Sequence, residues 1–577
     1  MVLTWLDWTW IALYFVINAG VGLYYRSRAS KSVDEFFVSG RNVPWWLAGT
    51  SMVATTFAAD TPLAVTGMVA RGGIAGNWLW WSFVAGGMLT VFFYARLWRR
   101  SGVLTDIEFT EIRYSGRPAA FLRGFRALYL GIPINCIVLG WVNLAMVKIL
   151  MLALGVTRLE ALGLVLGLIA ITSFISTLSG LWGVLVTDVF QFILKMTMVI
   201  VLAVAAVDAV GGMGALKIKL AAMHYDGVLN FFPDVTSAYL PIMTFLVYIS
   251  LNWWASWYPG AEPGGGGYVA QRMFSSKDEK NSLLATLWFN VANYALRPWP
   301  WILVALVSLV VFPGLKDPES GYVKVMIVYL PPELRGLMLA GFAAAYMSTI
   351  ATQLNWGASY VVNDFYRRFI RKTASDRHYI WVSRWTTVLL TICSAVVTFY
   401  LTSISGAWKM LLATGAGTGL VLLLRWYWWR INAWSEISSM IAAAVVSLAL
   451  QIGWHMDTDQ PIQFAWIMMI TVAVTTVVWV AVTLLTKPES KETLVSFYRR
   501  VRPARAGWRP ISAMAPEVKS AGGGWYDALD WICGCVLIYG LLFGSGKIIL
   551  GEIGVGIGMM AVGIAAGAVI WIDLSRR

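Results

Sequence analysis

The stretch Pro44-Trp-Trp-Leu-Ala-Gly-Thr50-Ser-Met-Val-Ala54-Thr-Thr-Phe57-Ala-Ala-Asp60-Thr61-Pro62 reads as an apolar helix, yet it carries four hydroxyl residues, then an aspartate, then a proline. Proline has no N–H to donate and disfavours helix at the residue before it. The helix is therefore predicted to break near Asp60–Pro62, in the middle of the run. If the run crosses a membrane, unwound backbone at that depth is tolerated only beside a cavity or buried in protein. Two readings fit: a kinked packing helix, or a broken helix whose free carbonyls face a ligand.

The rest of the chain says that the run does cross a membrane. Of 577 residues 59% are apolar and 13% are charged, about half the ~25% charged share of an average soluble domain. A core alone cannot hide that much apolar surface. A soluble multidomain enzyme and a disordered chain are excluded. The net charge is +14, but the basic residues are scattered between apolar runs, so no nucleic-acid partner is expected. The four cysteines and three histidines are too few and too dispersed for a disulfide framework, a zinc site or a histidine base.

A spanning helix needs about 20 apolar residues. Fifteen runs qualify, near 9–25, 45–71, 77–97, 123–150, 158–178, 183–207, 239–258, 284–311, 336–362, 380–402, 406–429, 435–453, 463–486, 526–545 and 551–573. None alternates as a strand would. The expectation is an all-α membrane protein of about 15 transmembrane helices. With the N-terminus outside, 32 Lys/Arg fall in inside loops and eight in outside loops, a strong positive-inside signal. That places the chain in a cell (plasma or inner) membrane, with the C-terminus and the polar loop 487–525 in the cytoplasm. Tryptophan clusters such as Trp45-Trp46 and Trp426/Trp428/Trp429 sit at run ends, as interfacial belts do.

Polar residues inside the runs mark where work is done. In the ninth run Ser348, Thr352, Asn355 and Ser359 follow i, i+4, i+7, i+11 and form one helical stripe. Back-bonded hydroxyls explain one or two of them; the whole stripe suits a water- or ion-accessible path. The sixth run carries Thr187, Asp188 and Gln191. An intramembrane carboxylate costs at least ~2.5 kcal/mol, so Asp188 either pairs or caps locally, or belongs with Thr187 to a cation or proton route. Lys148, Lys195, Arg297 and Lys409 also lie within runs or at their ends.

These pieces resemble the sodium:solute symporter family. The resemblance rests on Pro44-Trp45-Trp46 with the hydroxyl-rich run behind it, Ser179-Gly180-Leu181 followed by Thr187-Asp188 and Gln191, Gln271-Arg272, and Ala343-Ala-Ala345-Tyr-Met-Ser348-Thr349 ending in Asp364-Phe-Tyr366. Order and spacing match from about residue 10 to 430. The resemblance implies a leucine-transporter-type core, 45–430, built of two inverted five-helix repeats (45–207 and 239–429) with two discontinuous helices. Residues 1–44 precede it as an extra helix and loop, and 431–577 follow as four accessory helices. It also implies a sodium ion held by the carbonyls of Ala54, Phe57 and Ala345 and the hydroxyls of Ser348 and Thr349. A broken helix supplies carbonyls and the neighbouring stripe supplies hydroxyls, so the residues agree.

The expected solute site takes in Thr56, Asp60, Thr61, Trp80, Asn252, Trp253 and Asn293. Thr61, Trp80 and Asn293 stand where the family's sugar carriers have glutamine, glutamate and lysine. Much of a sugar's ring of donors and acceptors is thus missing, and hexose is disfavoured. Asn252 does match the family's asparagine. The insertion Pro259-Gly-Ala-Glu262-Pro263-Gly-Gly-Gly-Gly267 reads as a flexible cytoplasmic loop or as a gate. The expected function is sodium-coupled symport of a small organic solute into the cell, with proton coupling as the alternative because Asp60 and Asp188 could both titrate. An enzyme is not expected, for want of a clustered His/Asp/Glu/Cys constellation. A sensor built on the same core would carry an output domain. Asp60 is read either as half of a buried ion pair with Lys148 or Arg297, or as a cavity carboxylate that meets a cationic solute or second cation.

Overall fold

The computed structural model describes residues 3–29, 38–103, 105–233, 240–519 and 524–576, with the side chains of all of these except 26, 28, 29, 173–180, 376 and 380. Helices dominate, and among the described residues there is no strand, only an isolated bridge between Val43 and Ser276. This is what lipid dictates: with no water to satisfy N–H and C=O groups, each segment must close its own hydrogen bonds. Eleven described helices are long and apolar enough to cross a membrane, and two bent pairs bring the number to thirteen.

Thirteen of the fifteen expected runs are thus found. The run 158–178 continues into the next as one helix, Arg158–Ala209. The run 239–258 stops early, as a short apolar segment Ile242–Ala255.

The quoted stretch is broken. Trp45–Thr56 and Asp60–Gly72 meet at 59°. The break lies at Phe57–Ala59, a few residues before the predicted point. Pro62 is the third residue of the second half, where a missing N–H costs nothing because first-turn N–H groups have no partner within the helix.

A second interruption overturns the loop reading of the glycine-rich insertion. The helix ending at Ala255 leads into residues 256–266, and helix resumes at Gly267–Ser275. Gly260, Gly264, Gly265 and Gly267 all have φ between 53° and 86°, a region that glycine enters without penalty. The segment is packed, not free. Trp98 Nε1 donates to the Gly264 carbonyl at 2.7 Å, and Glu262 is 5% exposed. Gln271 and Arg272 sit on the helix that resumes after the interruption. The eleventh run also bends, by 55°, between Ile404–Thr414 and Thr418–Tyr427.

The broken helix Trp45–Gly72 is central. Its first half packs on Glu279–Val291, its second on Pro298–Val311, and Arg335–Ser359 lies alongside. The polar stretch 487–525 is also partly folded. Its helix Lys491–Val501 packs Phe497 against Trp508, whose Nε1 donates to the Trp426 carbonyl at 2.8 Å. At the C-terminal end Trp525–Ile549 and Ile553–Arg576 pack backbone to backbone. A Cβ on Gly540 would lie 2.8 Å from Gly563 Cα, and one on Gly544 2.8 Å from the Gly556 carbonyl. Small residues permit this close approach where lipid gives no hydrophobic drive.

Candidate functional site

The break frees the last carbonyls of Trp45–Thr56, and each must find a donor. The Thr55 carbonyl accepts from Thr349 Oγ1 at 3.1 Å, and that of Thr56 accepts weakly from Thr61 Oγ1 at 3.5 Å. The carbonyls of Ala54 and Phe57 both accept from Lys195, whose Nζ lies 2.8 and 3.0 Å away. Lys195 is 2% exposed and its ammonium also sits 5.0 Å from the centre of the Phe57 ring.

The five expected sodium residues therefore come together, but their oxygens already have partners in the protein. Besides the two carbonyls on Lys195, the Ala345 carbonyl accepts from Thr349 Oγ1 at 3.1 Å. Ser348 Oγ donates to Asp188 Oδ1 at 2.8 Å, and Ser51 Oγ donates to Asp188 Oδ2 at 2.6 Å. Asp188 is 1% exposed. Arg272 approaches through Ser51, with Nε 3.3 Å from its hydroxyl. Thr187 does not join this group: its hydroxyl bonds back to the Gly183 and Val184 carbonyls of its own helix. Gln191 donates to Tyr14 and Asn18 and holds the first helix in place.

Beside the break lies a cavity. Five of the seven expected solute residues line it: Thr56, Asp60, Thr61, Trp80 and Asn293. The other two do not. Asn252 is fully buried, with its amide on the Leu79 carbonyl (2.8 Å) and Ser82 Oγ (3.1 Å), so it pins one helix to another. Trp253 bonds its own helix at Ile249, and its ring lies against Trp531.

Sequence reasoning missed most of the cavity's aromatic wall. Tyr258 lines the cavity, stacked on Phe83 and Trp141 at 5.8 and 6.3 Å and edge-on to Trp408 at 5.6 Å. Trp80 stacks on Tyr294 at 5.8 Å. Tyr258, Pro259, Gly260 and Ala261 bring the glycine-rich segment into the lining. The one legible sign was position, since Tyr258 falls where the seventh run ends.

Asp60 is 3% exposed, and its Oδ1 has no hydrogen-bond partner. The two cations considered for it are engaged elsewhere. Lys148 pairs with Glu319 at 2.7 Å and Asp317 at 2.8 Å. Arg297 lines the same cavity but donates to Asn293, with its guanidinium 5.3 Å from the Trp301 ring. Among the described residues no ion pair reaches Asp60. The site thus combines a broken backbone, an aromatic cavity, one unpaired carboxylate and a guanidinium on the same wall.

The chain is similar to known proteins. The sodium:solute symporter family profile matches residues 36–443. A sodium/glucose cotransporter of Vibrio parahaemolyticus is 25% identical, over 78% of this chain and 86% of its own. A sodium/myo-inositol cotransporter 2 of Oryctolagus cuniculus is 22% identical, over 89% of this chain and 82% of its own. Among solved structures, a Na⁺-coupled sialic acid symporter in a substrate-bound outward-open state superposes with a TM-score of 0.65 at 19% identity, covering 84% of this chain and 99% of that one. With the family profile spanning most of its length, including the broken helix and the ninth run, the chain belongs to the sodium:solute symporter family.

Proposed function

We propose that the chain couples inward sodium flow to uptake of a small amine-bearing organic solute, held in the cavity beside the break. Residues 45–207 and 239–429 act as the two inverted repeats, and 431–577 as accessory helices. The observation that carries the solute class is Asp60, a buried carboxylate oxygen without a partner on an aromatic cavity. A buried charge left unpaired is costly, and an ammonium on the solute removes that cost. Trp80 and Tyr258 add cation–π contacts, each worth ~0.5–2 kcal/mol. Arg297 stands opposite in sign on the same wall and suits an acceptor group on the same solute. The relatives named above carry sugars or polyols by their names. Thr61, Trp80 and Asn293, where the sugar carriers' polar side chains stand, argue for a different solute here.

The test is a thermal-shift screen of the purified chain against amino acids, choline and small polyamines. A stabilising solute is expected, and Asp60→Asn should weaken its binding at least tenfold while leaving the unliganded melting temperature near that of the wild type. Normal binding by Asp60→Asn, or a variant that no longer folds, contradicts the cavity role.

Asp188 is our choice for the coupling sodium. It is buried, it already gathers Ser51 and Ser348 hydroxyls, and no ion pair within 4.0 Å reaches it among the described residues. The 32-to-8 Lys/Arg split supports an outside N-terminus and an inside C-terminus. A cysteine at exposed Glu517 should resist an impermeant thiol label in intact cells, and one at exposed Lys316 should react. The reverse pattern refutes the orientation.

A further inference from the structure

We propose that the ammonium of Lys195 takes the place of a sodium ion in the cradle formed by the Ala54 and Phe57 carbonyls, so that this site carries a cation tethered to the chain. The inference rests on the transporter reading above, because the cradle matters only in a chain that moves ions.

Three observations carry it. The first is geometry. Nζ lies 2.8 and 3.0 Å from the two carbonyl oxygens, full hydrogen-bond distances for an ammonium, which has three donors and no acceptor. The second is the end of the helix itself. The last carbonyls of Trp45–Thr56 point the negative pole of that half-helix at the cradle, and a cation there is favourable. In a chain without Lys195 a mobile ion would have to fill that role. The third is the state of the remaining oxygens. Ala345's carbonyl and the Ser348 and Thr349 hydroxyls are hydrogen-bonded within the protein. A hard cation needs several oxygens at once, and all three carbonyls of the set, those of Ala54, Phe57 and Ala345, already accept from donors of the chain.

The surroundings hold Lys195 in place. The Phe57 ring presents its face to Nζ at 5.0 Å. Arg297, 5.7 Å from the centre of the same ring, adds a second fixed positive charge. Asp188 stands two turns earlier on the helix of Lys195, on the same face. Arg272 lies beyond Asp188 and Ser51. A sodium ion bound to the same two carbonyls would share them with one ammonium and face a nearby guanidinium. Position 195 thus removes one sodium from the transport cycle.

The test uses the full-length purified chain and ²²Na⁺ alone, so no solute need be known. Bound ²²Na⁺ per chain is counted for the wild type, Lys195→Met, Lys195→Gln and Lys195→Arg. We expect Met and Gln to bind about one more sodium than the wild type, and Arg to bind no more than the wild type. Equal counts in wild type and folded Lys195→Met or Lys195→Gln overturn the proposal. Because these variants could fail to fold, the wild type is also imaged by cryo-electron microscopy in sodium buffer. Side-chain density from Lys195 to the two carbonyls is expected; an ion there, with Lys195 turned away, overturns it. The coupling reading fails separately: a wild type that binds no ²²Na⁺, beside a Lys195→Met that binds one, keeps this inference and removes sodium coupling. A wild type that binds sodium and a folded Lys195→Met that gains none does the opposite.

Discussion

Glu436→Ala should lower stability by about 3–5 kcal/mol, the range for removing one partner of a buried ion cluster. Glu436 is 1% exposed and accepts from three groups: Tyr114 Oη at 2.6 Å, Arg126 at 3.0 Å and Arg425 at 3.2 Å. Arg126 and Arg425 are themselves 4% and 3% exposed. Without the carboxylate two guanidiniums are left buried and facing each other, and a phenol loses its acceptor. Arg126, Arg425 and Glu436 come from three helices, so the cluster ties Gly116–Tyr129 and Thr418–Tyr427 to the accessory helix Ala433–Leu448. The check is the apparent melting temperature by fluorescence-detected size exclusion, a rate-dependent quantity for a protein of this size. Glu436→Gln, which keeps acceptor capacity but loses the charge, should fall between wild type and alanine. Indistinguishable curves for all three would mean the cluster contributes nothing net.

The second large effect is expected at Glu319, in the segment between Val311 and Pro332. Its carboxylate is fully buried and pairs with Lys148 at 2.7 Å. It also accepts from the backbone N–H groups of Ile404 (2.9 Å) and Ser405 (3.0 Å). Those two N–H groups are among the orphan donors that open Ile404–Thr414, and a negative charge there also meets the positive end of the helix. Glu319→Ala strips the cap and leaves Lys148 with exposed Asp317 alone, a loss of about 3 kcal/mol.

Burial by itself would raise the Glu319 pKa, but the Lys148 ammonium and the Ser405 and Ile404 N–H groups hold the carboxyl below its ordinary value. A depressed folded-state pKa means that the stabilisation is complete above the unfolded value, ~4.3, and is lost as pH falls through the lower folded value. The gap in melting temperature between wild type and Glu319→Gln should therefore be constant from pH 8 to about 5 and shrink below about 4. A gap that widens on acidification would reverse the assignment.

The fold class was legible because lipid leaves a chain few options, and the length of the apolar runs reports it directly. The broken helix could be read from Pro62, but its position could not: proline fits a first turn, so the break moved upstream to Phe57–Ala59. The glycine-rich segment was misread for a similar reason. Gly260, Gly264, Gly265 and Gly267 have one composition in a solvent loop and in a buried unwound span, and only packing against Trp98 tells them apart. Thr61, Trp80 and Asn293 were found through the resemblance, being tied to chain position, and Thr56 and Asp60 were read from the broken run itself. Trp141, Tyr258 and Tyr294 were not, because aromatic residues are everywhere in such a chain and only the third dimension gathers them. Lys195 was visible as an intramembrane cation two turns from Asp188. Nothing in the sequence said that its stem reaches the carbonyls of a helix about 140 residues away.

The proposed transport is sodium-coupled movement of an amine-bearing solute. One charge crossing 100 mV yields about 2.3 kcal/mol, enough to concentrate a neutral passenger roughly fiftyfold. The direct measurement is uptake of the solute identified by thermal shift into proteoliposomes, with an inward sodium gradient or with equimolar potassium on both sides. Transient accumulation above the external concentration is expected in the first case and simple equilibration in the second. Equal uptake under both conditions would contradict sodium coupling.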